Sequence, residues 1–314
     1  MAGWTGKLLR ADLTSGRFSV EEIPGEWLRD YIGGRGLGAR YLYEEMDPTV
    51  DALSPENKLI FATGPLTGTH APCGARYMVV TKGALTGAIT TSNSGGSWGP
   101  EFKFAGYDLL IVEGKAPRPS YLFIYDDYVE VRDAAEYWGK TVSETEDGLR
   151  NDLGIPALRI ACIGPAGEKL VKFACIMNDK HRAAGRSGVG TVMGSKNLKA
   201  IAVRGTKGVK VKDMEAFHDA VTAARAKLDP SGDRAGLAAT GTISMLDITQ
   251  AFGSLPTRNN QDVQFEGSDK IGATAMATPR RSDGQPNLIN NKACFSCTIG
   301  CGRVSRIDPE HFSI

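Results

Sequence analysis

Short apolar segments with alternating or β-branched residues follow one another between residues 57 and 132. They read NKLIFAT, ARYMVVT, GAITTS, YDLLIVEG, SYLFIYD and YVEVRD, and turn residues separate them. Segments of this length and composition are typical of strands. Residues 7–23 predict a further hairpin, because KLLRADL and RFSVEEI flank a TSG turn. The pattern therefore predicts a β-rich region, in which Asp126 and Asp127 form another hairpin tip.

Helical periodicity is confined to a few segments of this region. The pattern predicts short helices near residues 27–32 and 38–46, and a longer one over 134–153 that ends at Gly154. The segments ALRIACIG, LVKFACIM and KAIAVRG predict three more strands, the last of which ends near Gly205.

The sequence pattern changes from strand-like to helical after Gly208. The segment VKDMEAFHDAVTAARAKL predicts a helix with Asp213 as its N-cap, and residues 240–252 predict a second one. Residues 254–292 are polar and show little periodicity. We therefore predict an α+β protein, with a β-rich domain over residues 1–207 and the start of a helical domain over residues 208–314.

Composition narrows the class of protein. The 314 residues are 41% hydrophobic and 23% charged, with a formal net charge of +1. These are ordinary values for a globular protein, and they favour neither nucleic acid nor an acidic membrane as a partner. The sequence has no run of eighteen apolar residues, and MAGWTGKLLRADL lacks the apolar core of a signal peptide. We expect a cytoplasmic protein without a membrane span.

Three cysteines share the segment KACFSCTIGCGR, namely Cys294, Cys297 and Cys301. Three thiolates in one loop are typical of a [4Fe–4S] site, which needs a fourth ligand from elsewhere. The small and polar residues between them suit backbone N–H groups that donate to cluster sulfurs. Zinc is the competing metal, with His311 as the nearest fourth ligand. Three unrelated thiols are the alternative without a metal.

The remaining cysteines are Cys73, Cys162 and Cys175. In a reducing compartment we expect them to be buried thiols rather than disulfides. Cys162 and Cys175 fall within predicted strands, whereas Cys73 lies in the loop HAPCGARY and stays open as a fourth cluster ligand. The simpler expectation places that ligand beyond Ile314.

Glycine is unusually frequent, with 38 of 314 residues or roughly 12%, against about 7% in average proteins. The glycines cluster in GGRGLG, GPLTG, SNSGGSWG and AAGRSGVG. Arg76, Arg182 and Arg186 stand beside such clusters, where forked donors suit phosphate or heterocycle edges. No cluster matches a P-loop or a dinucleotide fingerprint. Together they favour a phosphorylated, multi-ring cofactor bound on a β platform.

Five long segments, in this order, resemble the tungsten-containing aldehyde ferredoxin oxidoreductases. They are GWTGKLLRADLTSG, GGRGLGARYLYEEMDPTVDALSPENKLIFATGPLTGT, TSNSGGSWGPEFKFAGYD, IMNDKHRAAGRSGVGTVMGSKNLKAIAV and CFSCTIGCGRV. The resemblance is dense from Trp4 to Gly205, fades over 210–290 and returns at the cysteines. It implies an N-terminal domain of two β-sheets that forms a base for the cofactor, which two helical domains cover.

The resemblance also implies the cofactors. They are a tungsten bis-pyranopterin, whose dithiolene sulfurs hold the metal, and one [4Fe–4S] cluster, with Mg²⁺ expected between the pterin phosphates. Arg76 would lie between cluster and pterin. Cys294, Cys297 and Cys301 would be cluster ligands. The residues expected to contact the pterins or their phosphates are Asn93, Gly95, Arg182 and Ala183. The fourth cysteine and the residues near the metal are expected beyond Ile314.

The implied reaction is oxidation of an aldehyde to its carboxylic acid, with electrons passed through the cluster. The implied acceptor is ferredoxin or a dedicated iron–sulfur subunit, and the expected assembly is a homodimer. Two alternatives stay open. One is a related member that acts on an aromatic acyl thioester or a phosphorylated aldehyde. The other is a non-catalytic iron–sulfur electron-transfer module.

Overall fold

The computed structural model describes residues 2–306, so His311 lies outside the described residues. The chain divides into two compact units, Met1–Phe217 and His218–Ile314. The boundary that we predict near residue 207 stays a prediction. The predicted α+β class is confirmed, because two six-stranded sheets occupy the N-terminal region and helices follow.

The first sheet has the strand order β2-β1-β6-β3-β4-β5. Strands β1 and β6 run parallel, and the other neighbours are antiparallel. The predicted hairpin over residues 7–23 is confirmed as β1 and β2. The strands are β1 Lys7–Asp12, β2 Arg17–Glu22, β3 Leu59–Thr63, β4 Tyr77–Lys82, β5 Ile89–Ser94 and β6 Leu109–Glu113.

The second sheet has the order β11-β10-β9-β12-β7-β8. Only β7 and β12 pair in parallel, and the predicted tip at Asp126 joins the antiparallel strands β7 and β8. The strands are β7 Ser120–Tyr125, β8 Tyr128–Asp133, β9 Arg159–Cys162, β10 Ile176–Asn178, β11 Arg182–Ala184 and β12 Leu198–Arg204.

Helices cover both sheets of the first unit and also enter the space between them. The first unit contains α1 Gly25–Tyr31, α2 Gly34–Glu45, α3 Trp98–Phe104, α4 Val142–Leu153, α5 Pro165–Glu168 and α6 Val189–Ser195. A central core takes buried side chains from both sheets and from α3 and α6. A second core packs α1 and α2 on the first sheet, and a third packs α4 on the second sheet.

Strand β3 shows how the sequence produces these layers. Phe61 belongs to the central core, whereas its neighbours Ile60 and Ala62 belong to the core under α2. Successive side chains on a strand point to opposite faces, so a strand covered on both faces must be apolar throughout. All five residues of β3 are buried accordingly.

Three of the four glycine clusters are partly helical. GGRGLG begins α2, and α3 and α6 start within the other two clusters. A Cβ on Gly38 would lie 2.7 Å from Cγ2 of Val80, so glycine here lets α2 pack closely on the first sheet. The segment LVKFACIM is also mostly a turn, because Leu170 has a φ of 57° and β10 starts only at Ile176.

Helix α7, Met214–Leu228, follows the predicted cap: the backbone N–H of Ala216 donates to Oδ1 of Asp213 at 3.0 Å. The second unit then contains α8 Gly232–Thr240, α9 Ser244–Ala251, α10 Ala273–Ala277, β13 Leu288–Lys292 and β14 Gly302–Ser305. The polar pattern did not predict α8, which Ser231 caps, or the antiparallel pair of β13 and β14.

Candidate functional site

A cavity of about 410 Å³ opens in the first unit where several glycine-bearing segments meet. Its lining comes from residues 32–35, 64–67, 72–74 and 76–78, together with Ala62 and Asn93. These segments come from three parts of the sequence, around residues 32–35, 62–78 and 93, and the strands β3, β4 and β5 bring them together. The volume falls in the range of small-molecule and cofactor sites.

Arg76 stands directly before β4 and lines this cavity. Its backbone carbonyl accepts a hydrogen bond from Oγ1 of Thr67 at 2.8 Å, which holds the main chain. Its exposed guanidinium donates from Nη1 to Oδ1 of Asn93. The backbone is therefore anchored, while the remaining guanidinium donors are available to a ligand in the cavity.

Asn93 lies on β5 and Gly95 directly follows that strand. The side-chain amide of Asn93 is half-buried, and Gly95 is buried. The carbonyl of Gly95 accepts from Nδ2 of Asn178 at 2.9 Å, so the loop after β5 is tied to the second sheet.

Arg182 and Ala183 are on β11, which lies beside β5 in the structure. Arg182 is half-buried and Ala183 is exposed. The backbone N–H of Arg186 donates to Oγ of Ser92 at 3.0 Å, which links the segment after β11 to β5. The structure thus places the predicted pterin-contacting residues on the edge strands of the two sheets, β5 and β11, which lie side by side. Their roles as cofactor contacts stay predictions.

The chemistry of this edge fits a phosphorylated, planar cofactor. Guanidinium groups, a side-chain amide and glycine backbone supply hydrogen-bond donors, and Gly64 leaves space at the main chain. Donors of these kinds bind phosphate and heterocycle edges.

A buried ion pair that the sequence pattern did not predict holds Gly64 in the cavity lining. Lys103 is fully buried, contacts Asp108, and donates from Nζ to the carbonyl of Gly64 at 3.1 Å. Oδ2 of Asp108 accepts from the backbone N–H of Gly6 at 2.7 Å. Burial lowers the pKa of Lys103, whereas the nearby carboxylate of Asp108 acts in the opposite direction and favours the charged form of the lysine. The only signal in the sequence was a lysine between two phenylalanines in EFKFAGYD.

The cysteine loop, residues 293–301, connects β13 and β14 in the second unit. Cys294, Cys297 and Cys301 are half-buried, and the N–H of Cys297 donates to the carbonyl of Cys294 at 3.2 Å. Ser296 and Gly300 have φ values of 52° and 59°, so the loop turns sharply twice.

Two arginines hold this loop through its carbonyl groups. Nη2 of Arg234 donates to the carbonyl of Thr298 at 2.8 Å, and Nη1 of Arg303 donates to that of Gly300 at 2.7 Å. Three thiols on one loop fit part of an iron–sulfur site by ligand type. Within residues 2–306, however, no three or more His, Cys, Asp or Glu side chains are grouped so as to hold a metal ion. The ligand assignment stays a prediction.

The other cysteines differ from one another. Cys162 is buried in β9, and burial raises the pKa of its thiol. Cys175 is half-buried just before β10, and burial raises its pKa as well. Both thiols therefore stay protonated near neutral pH. The expectation that Cys73 is buried is wrong: it is exposed on the cavity rim, with a φ of 62°.

Across the described part of the chain, none of the helices has both the length and the apolar character needed to cross a membrane.

Family comparisons place this geometry among known proteins. Residues 8–205 match the model of "Aldehyde ferredoxin oxidoreductase, N-terminal domain", and residues 219–314 match "Aldehyde ferredoxin oxidoreductase, domains 2 & 3". The tungsten-containing aldehyde ferredoxin oxidoreductase of Pyrococcus abyssi is 52% identical over 97% of this chain and 49% of its own length. The enzyme of the same name from Thermococcus kodakarensis is 50% identical over 100% of this chain and 52% of its own.

A solved structure has a similar fold. It is the active site complex BamBC of benzoyl coenzyme A reductase in complex with 1,5-dienoyl-CoA. Its TM-score is 0.83 at 30% identity, and the match covers 98% of this chain and 48% of that one. The chain spans about half the length of the curated relatives it matches.

Proposed function

Because the chain belongs to the aldehyde ferredoxin oxidoreductase family, we propose that it forms the cofactor-binding part of a tungsten-dependent enzyme that oxidises aldehydes to carboxylic acids. The observation that carries the proposal is the cavity at the edge of the first sheet. Arg76 and Asn93 are hydrogen-bonded to each other in its lining, and both lie within residues 8–205, which match the family's N-terminal domain model.

The proposed cofactors are a tungsten bis-pyranopterin and a [4Fe–4S] cluster, with Mg²⁺ between the pterin phosphates. When bound, the tungsten cofactor would supply the two-electron oxidation of the aldehyde, with water as the source of oxygen, and the cluster would relay the electrons one at a time to ferredoxin or an iron–sulfur subunit. The protein supplies binding, orientation and electrostatics. Arg76 would donate charge-assisted hydrogen bonds from a guanidinium that Asn93 orients.

The remaining predicted residues would bind the two proposed cofactors. Asn93, Gly95, Arg182 and Ala183 would contact the pterins or their phosphates, through backbone and side-chain donors that the edge of the two sheets brings together. Cys294, Cys297 and Cys301 would ligate iron, since thiolates are the usual ligands of such clusters.

Metal analysis of the purified full-length protein tests the proposal. Tungsten together with iron supports it. Iron without tungsten or molybdenum favours the electron-transfer module, and zinc alone contradicts both. Aldehyde-dependent reduction of ferredoxin is the second measurement, since a protein that holds both metals and oxidises no aldehyde acts on another substrate.

The substrate alternative has one specific observation in its favour, the similarity to the benzoyl coenzyme A reductase complex. The identity is 30% there, against 50–52% to the named aldehyde enzymes over the same chain. We therefore favour an aldehyde over an aromatic acyl thioester or a phosphorylated aldehyde. Parallel assays with the three substrate classes decide the matter.

A cytoplasmic location and a homodimer complete the proposal. Cell fractionation and analytical ultracentrifugation test them, and a membrane-bound or monomeric protein would contradict the respective part.

A further inference from the structure

Asn178, on β10 of the second sheet, is fully buried and joins both sheets. Its Oδ1 accepts from the hydroxyl of Tyr77 at 3.0 Å and from Oγ of Ser94 at 2.8 Å, and both partners belong to the first sheet. Its Nδ2 donates to the carbonyl of Gly95 and to Oδ2 of Asp179, each at 2.9 Å. A side-chain amide has two acceptor sites and two donor hydrogens, so its capacity is filled.

Asp179 holds the loop after β5 from the other side. Its Oδ2 accepts from the backbone N–H of Ser97 at 2.6 Å, and Nη1 of Arg159 lies 3.6 Å from Oδ1. Gly96 passes directly over this pair with a φ of 89°, and a Cβ there would overlap both Oδ2 of Asp179 and Nδ2 of Asn178. The loop therefore approaches the two side chains as closely as a glycine backbone permits.

Asp179 also begins the turn that leads from β10 into β11. Asp179 and Lys180 have φ values of 51° and 61°, a conformation that costs non-glycine residues free energy. The buried carboxylate of Glu146 accepts from the N–H of Lys180 at 2.8 Å, which holds the turn in place. Arg182 and Ala183 follow immediately.

We propose that Asn178 and Asp179 form a clamp that positions both halves of the pterin-phosphate site, the loop 94–97 after β5 and the strand β11. This inference rests on the proposed function for the identity of the ligand. The clamp residues would not touch the reacting groups. They act through Gly95, Ser97 and Arg182, whose backbone positions they set.

A role in packing alone does not account for the arrangement. Burying these polar groups costs free energy unless each is hydrogen-bonded, and apolar side chains of similar volume would join two sheets without that requirement. The polar groups instead specify where one loop carbonyl and one loop N–H must lie. A fully satisfied polar network specifies one geometry. With only an apolar contact between them, the two sheets would be free to slide.

The test uses Asp179→Ala and Asp179→Asn in the full-length protein, with Asp127→Ala as the matched control. Asp127 is exposed on the β7–β8 turn, where it pairs with Lys207 at 2.6 Å. The measurements are tungsten, pterin and iron per polypeptide, the midpoint of thermal unfolding, and hydrogen exchange of the segments 92–99 and 180–187.

Asp179→Ala is expected to lower tungsten and pterin content by about tenfold, the size typical when a group that orients ligands is removed. Iron content should stay unchanged, and both segments should exchange faster. Asp179→Asn keeps an oxygen acceptor for Ser97 and should retain most of the tungsten. Gly96→Ala should lower tungsten and pterin content in the same way, because its Cβ displaces the clamp while Asp179 remains.

Three results would overturn the clamp: wild-type tungsten content in Asp179→Ala, equal losses in the alanine and asparagine variants, or a proportional loss of tungsten, pterin and iron with a lower unfolding midpoint. A wild-type protein without tungsten overturns the proposed function instead. The exchange measurement then still decides, since unchanged exchange of both segments in Asp179→Ala contradicts the clamp.

Discussion

The two units of the chain hold their predicted functional residues in different ways. In Met1–Phe217, the cavity and the clamp rest on cores in which Trp98, Tyr77 and Phe61 are at most 1% exposed. Among the described residues of the second unit, 218–306, hydrophobic burial is confined to Val221 at 8% exposure. The cysteine loop there is held by arginine hydrogen bonds to carbonyls.

This difference teaches how each part is expected to respond to substitution. Buried apolar area contributes roughly 25 cal/mol per Å², so the geometry of the first unit depends on packing. A net hydrogen bond contributes about 0.5–1.5 kcal/mol, so the loop of the second unit has far less to hold it. A metal bound by its thiolates would add the largest single contribution in that unit.

The largest effect is expected at the cysteines. Cys294→Ser, Cys297→Ser or Cys301→Ser should each remove most of the iron and the iron–sulfur absorbance, because serine is a poor replacement for a thiolate. Cys175→Ala is the control and should leave iron content unchanged. Retention of iron and spectrum in all three serine variants would refute the ligand assignment.

Trp98→Ala should lower the free energy of unfolding by about 3–5 kcal/mol, the usual cost of truncating a buried aromatic side chain. It removes a stacking contact with Phe102 at 5.4 Å and a hydrogen bond to the carbonyl of Ile201. Calorimetric unfolding measures the change.

Phe252→Ala is the counterpart in the second unit. Phe252 is 81% exposed in the structure, so the expected change is within about 0.5 kcal/mol. A loss as large as that of Trp98→Ala would show that this side chain is covered in solution, and it would remove the contrast between the units.

Arg76→Lys keeps the charge and loses the forked geometry, since lysine cannot donate to two fixed acceptors in the same way. A hydrogen bond to a charged group contributes about 1.5–3 kcal/mol, so aldehyde turnover should fall by roughly tenfold or more. The cluster potential should shift, while iron content is retained. Arg118→Lys is the control, because Arg118 is 71% exposed. An unchanged potential and rate would make Arg76 a surface residue without a cofactor role.

Of the two arginine substitutions, Arg303→Lys is expected to have the smaller effect. Arg303 donates to the carbonyls of Gly300, Gly302 and Ala238, and a lysine ammonium cannot span all three. A loss of about 1 kcal/mol corresponds to roughly fivefold faster hydrogen exchange in residues 293–302. Arg258→Lys, at an exposed site in the same unit, should leave this exchange unchanged. The same rate in both variants would mean that Arg303 does not hold the loop.

Much of the fold followed from local patterns. The strands over 57–132 were predicted because alternation and turn residues act within a few positions, and the cap at Asp213 was predicted for the same reason. LVKFACIM failed because Leu170 takes a positive φ that its apolar neighbours do not signal. Helix α3 was missed because Trp98 and Phe102 are placed by a core from both sheets.

By itself, the sequence determined the strand periodicity, the cysteine spacing and the long motifs that identify the family, since each is a property of neighbouring residues. Tertiary structure alone decided which glycines serve packing and which line a cavity. Gly38 packs on Val80 and Gly33 packs against the carbonyl of Thr63, whereas Gly34 faces Met78 in the cavity lining, although all three share one motif. Tertiary structure also brought Asn178 and Asp179 to the loop after β5. The physical reason is that close approach depends on partners distant in the chain, which only the pairing and layering of the two sheets bring within reach.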